Sequence, residues 1–168
     1  MIFNNINNIP VVKDFEDLYG GPLCKDNPEL VDLNIKIYTN KQGDGFIKEW
    51  DNSDDSPYTS NHLVNEIMRS EDVYYKCNFT KEEEYAILAH ELGHIVAAKR
   101  GNKSMDNLQE EKNADQMAVS LGLVIPMQAA IQKMINANIK PSNNAEMQQR
   151  IDVLNSSQHS TLPNDSNP

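Results

Sequence analysis

The chain has 168 residues and a mass of 19.0 kDa, with 39% hydrophobic and 24% charged residues, enough for one domain with a core of its own. Fifteen Lys+Arg against 25 Asp+Glu leave a formal charge of −10 and a pI near 4.8. Such a surface repels nucleic acid and anionic membrane, and suits a cationic or neutral substrate. Two cysteines, Cys24 and Cys77, have no C-x-x-C spacing and support neither a disulfide framework nor a cysteine-rich metal site. The first residues lack a basic stretch followed by an apolar one, and no apolar run approaches the roughly 20 residues that span a bilayer. Cytoplasmic residence is the expectation.

In chain order, residues 1–30 mix Asn, Pro, Gly and acidic residues around short apolar patches. They predict a loosely organised arm with one short helix over about 13–18. Residues 33–39 (LNIKIYT) alternate apolar and polar side chains, the period of a half-buried strand. The turn-rich segment 40–45 then predicts a hairpin with 46–50 as the returning strand. Residues 51–57 form an acidic loop, 62–68 suit a strand or one helical turn, and 73–77 (VYYKC) carry strand-forming residues. Asn78-Phe79-Thr80 fits a glycosylation acceptor, but reads here as the start of a helix.

From Thr80 the pattern is helical. Thr80-Lys81-Glu82-Glu83 is a capping box, the three glutamates 82–84 complement the helix dipole, and Gly101 follows basic Lys99 and Arg100. A helix over about 81–100 follows. A second begins near Asp106 and ends at Gly122, a third covers about 126–137 after Pro126, and a fourth covers about 144–155. A single domain over 1–155 and a disordered tail over 156–168 complete the organisation; His159 falls in that tail and is expected to be inert.

The chemistry concentrates in His90-Glu91-Leu92-Gly93-His94. Residues four apart share a helix face, so His90 and His94 can present two imidazoles to one ion. Glu91 is expected to act as general base on a water in an open coordination position. A catalytic zinc site usually has three protein ligands. Glu111, 17 residues after His94 (111 − 94), is the candidate third, because the short loop 101–105 folds the next helix back beside the first. Asp115, one turn further, is expected to accept the free ring N–H of one histidine. Glu110 points about 100° away from Glu111. Gly93 costs about 1 kcal/mol relative to Ala in a helix, and is expected to let another backbone approach. Tyr58, His62, Tyr75 and Tyr85 are candidates for an oxyanion-stabilising donor without a spacing argument. Met117, Met127, Met134 and Met147 are expected in the core.

The run Tyr85 to His94, followed by Glu111-x-x-Ala114-Asp115-x-x-Ala118, resembles the gluzincin metallopeptidases. In that clan two histidines and the Glu of an E-x-x-x-D motif bind zinc. Within it, the chain is similar over about 80–155 to the short cores of the heat-shock and CAAX-type metallopeptidases and of the ImmA/IrrE regulators. Pro141 and Arg150-Ile151 are similar to an H-P-x-x-x-x-R-I segment of the former, but Lys140 replaces its His, so Arg150 receives no role. The resemblance implies a zincin-like α+β fold: a small N-terminal antiparallel or mixed sheet with an edge strand beside the cleft, the metal-binding helix, then a helical C-terminal half. It implies zinc-dependent hydrolysis of peptide or protein substrates, with His90, His94 and Glu111 as ligands and Glu91 as base. The alternatives are a regulatory peptidase acting on one repressor or partner, and a catalytically silent zinc-stabilised interaction domain.

Overall fold

The computed structural model describes residues 2–40, 58–61, 65–102, 106–139 and 143–159. The architecture is α+β: one small sheet and six described helices. The strands are β1 (Ile2–Asn5), β2 (Asn34–Asn40), β3 (Tyr58–Asn61) and β4 (Glu66–Ser70), in the order β1-β2-β4-β3. β1, β2 and β4 run parallel, and β3, the outermost strand among the described residues, is antiparallel to β4.

Of the antiparallel or mixed sheet expected, the antiparallel form is corrected: the described strands make a mixed, mainly parallel sheet. Both described neighbours of β2 are parallel to it, and residues 46–50, expected to return as its partner, lie outside the described residues. Parallel neighbours need a long crossover, and between β1 and β2 it is supplied by helix α1 (Pro10–Asp26). The period-2 reading of β2 holds: Ile35 and Ile37 are fully buried, while Lys36 and Tyr38 face the opposite side beside Glu66.

The N-terminal segment is likewise no loose arm. Pro10 starts α1 at a position where its missing N–H costs nothing. The helix continues through Gly20-Gly21-Pro22 because Leu23 anchors its last turn in the core. Phe15, fully buried, packs against Phe3, Tyr19 and Tyr85 at centroid distances of 5.2–6.2 Å. Glu16 Oε1 accepts the Phe3 backbone N–H at 3.0 Å, satisfying a donor on the sheet's outer strand. Tertiary burial overrides the breaker residues.

Residues 73–77, expected as a strand, belong to helix α2 (Glu71–Cys77). Its buried residues Val73 and Cys77 are four apart, the helical period, and Asn78 closes it in the left-handed conformation at φ 47°. Arg69 ties this corner together: it donates to Glu71 at 2.6 Å and Glu84 at 3.0 Å, with its guanidinium over the Tyr74 ring.

Helix α3 (Lys81–Lys99) is the centre of the domain, buried on nearly every side between β3, α1, α4 (Asn107–Ser120) and α5 (Val124–Asn136). Its capping box forms as the sequence predicts, with Thr80 Oγ1 accepting from Glu83 N and Glu83 Oε2 accepting from Thr80 N. Thr80→Ala is expected to cost about 1 kcal/mol, lowering Tm by about 2–4 °C for a domain of this size. A melting curve that superimposes on wild type would remove the cap from the stability account.

Asp106 caps α4 through its side chain, and α5 begins two residues before Pro126. Helix α6 (Asn144–His159) packs on α5 and α4 with Met147, Arg150, Ile151 and Leu154 buried. It includes residues 156–159, expected in the tail, because Leu154 and the preceding turns bury against the core; residues 160–168 lie outside the described residues. Met117, Met127, Met134 and Met147 are all in the core. No helix among the described residues is long and apolar enough to cross a membrane.

Candidate metal centre

Helix α4 runs back along α3, so His94 lies opposite Glu110 and Glu111, and His90 opposite Glu111 and Asp115. The close approach depends on Gly93. A Cβ built there would lie 2.7 Å from the Ala114 carbonyl oxygen and 2.8 Å from its Cα, closer than real contacts allow. The expected role of Gly93 thus has a definite partner, the α4 backbone at Ala114.

The two imidazoles point their Nε2 atoms at one another, 3.1 Å apart, with the rings nearly perpendicular. Glu111 sits beneath both, Oε2 at 3.4 Å from His90 Nε2 and Oε1 at 3.4 Å from His94 Nε2. These separations suit an ion. With metal–ligand bonds of about 2.0–2.1 Å, tetrahedral geometry places ligand atoms about 3.3 Å apart. Among the described residues, His90, His94 and Glu111 are the one set of His, Cys, Asp and Glu side chains able to share an ion.

The other side of the site is a buried polar lock. His90 Nδ1 lies 2.8 Å from Asp115 Oδ1, the arrangement expected for an outer carboxylate that fixes a metal-ligating histidine. Arg150, from α6, donates through Nε to Asp115 Oδ2 at 2.9 Å and through Nη2 to Asp115 Oδ1 at 2.7 Å. Its Nη1 donates to Glu111 Oε2 at 2.7 Å. Sequence reasoning gave Arg150 no role, yet a signal was present. It falls on the stripe Met147, Arg150, Ile151, Leu154, so a cation occupies an otherwise apolar helix face.

Electrostatics explain why these groups need one another. Burial and the Arg150 charge push His90 down, but hydrogen bonds to Asp115 and Glu111 and the Glu111 charge prevail, raising it to about 10. Burial pushes the Glu111 and Asp115 carboxyls up. Their bonds to His90 and the charges of His90 and Arg150 outweigh this and hold both below the usual carboxylate range. The pocket therefore favours positive charge. Glu111 and Asp115 face the Arg150 guanidinium and the cationic His90, and a metal ion held at His90 Nε2 would take the place of that ring's extra proton.

Glu91 is buried and makes no hydrogen bond to another described side chain. Glu110, expected to point away, is only partly exposed, with Oε1 3.9 Å from His94 Nδ1. The proposed oxyanion donors fare unevenly. Tyr85 is packed in the aromatic cluster, Tyr75 is 75% exposed, and the backbone of Tyr58 lies in β3. His62 lies outside the described residues. Strand β3, outermost among the described residues, packs on α3, the helix that carries both histidines.

No protein-family model matches the chain, and comparison with curated proteins and with solved structures finds none similar to it.

Proposed function

We propose that this chain is a zinc-dependent peptidase of the gluzincin type, with His90, His94 and Glu111 as metal ligands and Glu91 as general base. The triangle of ligand atoms, with edges of 3.1, 3.4 and 3.4 Å, carries the proposal. Zinc held there would supply Lewis acidity, lowering the pKa of water toward about 7 and polarising the scissile carbonyl.

The protein groups supply the rest. Asp115 accepts the Nδ1–H of His90, which would leave Nε2 to hold the ion once the ring's second proton is displaced. Glu91 accepts the proton of the attacking water on its carboxylate and passes it to the nitrogen of the leaving amine as the peptide C–N bond breaks. A carboxylate buried one residue from His90 on α3 favours catalysis over a silent zinc-stabilised scaffold, which has no need of a base there. Among the described residues β3 is the outermost strand, and an extended peptide could pair main chain to main chain with it beside α3. The acidic chain suits a neutral or cationic peptide, not nucleic acid or an anionic membrane.

The direct test is metal content. Wild-type protein dialysed against zinc is expected to retain one ion per chain and to hydrolyse an unfolded polypeptide. Glu111→Ala is expected to lose more than about 100-fold in zinc affinity, since even an outer partner is worth 10–100-fold. Full stoichiometry and unchanged affinity in Glu111→Ala would remove it from the ligand set. Hydrolysis of one partner protein alone, with unfolded polypeptide untouched, would instead point to a regulatory peptidase.

A further inference from the structure

Arg150 is 7% exposed and engages two carboxylates at once. Its Nε and Nη2 hold both oxygens of Asp115, a two-point grip that fixes the guanidinium plane. Asp115 is itself held by His90 Nδ1, so the plane is registered to the metal helix. From that anchored plane Nη1 reaches Glu111 Oε2 at 2.7 Å, whereas Oε1 faces His94 Nε2 at 3.4 Å. The two oxygens of one carboxylate thus differ: each lies 3.4 Å from a histidine Nε2, but Oε2 alone accepts from the Arg150 guanidinium.

We propose that Arg150 is a positioning residue that makes Glu111 a one-oxygen ligand, so that an ion bound by His90 and His94 keeps a coordination position open for water. The inference rests on the metallopeptidase reading. Unrestrained carboxylates bind ions through one or both oxygens, and a second Glu111 oxygen would take the position the reaction needs. The chain solves this from a distance, since Arg150 arrives on α6, 39 residues beyond Glu111.

Arg150→Lys keeps the charge but replaces the planar fork by a single ammonium that cannot grip Asp115 at two points and reach Glu111. Arg150→Gln keeps a planar donor without the charge. Cobalt(II) replaces zinc as the spectroscopic probe, because four-coordinate cobalt absorbs visible light more strongly than five-coordinate cobalt. Wild type is expected to show the intense four-coordinate spectrum, and both variants a marked loss of intensity with metal still bound. A wild-type spectrum in folded, metal-loaded Arg150→Lys and Arg150→Gln overturns the inference while leaving the peptidase proposal intact. A wild-type chain that binds neither cobalt nor zinc overturns both. Should the variants fail to fold, a crystal structure of zinc-loaded wild type decides alone. One Glu111 oxygen within about 2.2 Å of the ion supports the inference, and two overturn it.

Discussion

Glu91→Gln is expected to abolish hydrolysis of an unfolded polypeptide, lowering kcat by at least about 10²–10⁴-fold, while zinc content stays at the wild-type level. The substitution is nearly isosteric, and Glu91 contributes no described hydrogen bond to the packing around it. It removes the carboxylate's basicity and charge while keeping the side chain's size. The neighbouring His90 remains held by Asp115, and Glu111 remains held by Arg150, so the ligand set is untouched. Loss of turnover with metal retained separates general-base chemistry from a structural role for the ion. A variant that retains full activity would exclude Glu91 as the base. Zinc binding in a wild type inactive on every polypeptide would favour the silent-scaffold alternative.

The second large effect is expected at Gly93, where the function and the fold meet. Gly93→Ala places a methyl group 2.7 Å from the Ala114 carbonyl oxygen, and the obstacle is backbone that no rotamer change can move. Over-packing of this kind costs about 1–3 kcal/mol, and the roughly 1 kcal/mol gained in helix propensity offsets only part of it. We expect a net fall in Tm of several degrees, with Gly93→Leu more severe. Separation of α3 from α4 also pulls Glu111 away from both histidines, so zinc affinity should fall in the folded fraction. The decisive comparison is Tm and zinc affinity measured on the same variant. If both match wild type, the helix contact at Ala114 is not what demands glycine.

The sequence was most informative where local rules and burial agree. The Thr80 and Asp106 caps, the left-handed Gly101 and Gly122 near helix ends, and the period-2 strand around Ile35 and Ile37 were each legible. It misled where distant packing decides. Gly20-Gly21-Pro22 looks like a helix stop, but Leu23 buries the next turn; Tyr74 and Tyr75 favour a strand, but Val73 and Cys77 bury together on a helix. The short strand β1 carries too little pattern to declare a parallel partner for β2. At the site, the histidine spacing and the E-x-x-x-D spacing marked four residues that the fold brings together. Arg150 escaped because its partners are 35 and 39 residues away, and only the apolar stripe around it hinted at burial.

The origin of that arginine has a consequence for how the chain comes into being. Residues 90–115 place both histidines and both carboxylates on two consecutive helices, but the guanidinium that balances the carboxylates comes from α6. A polypeptide translated only through α5 therefore holds an acidic, unlocked cluster. The polar lock closes only when Arg150 has emerged from the ribosome and α6 has docked on α4, so the two helices that carry the histidines and carboxylates do not complete this centre by themselves.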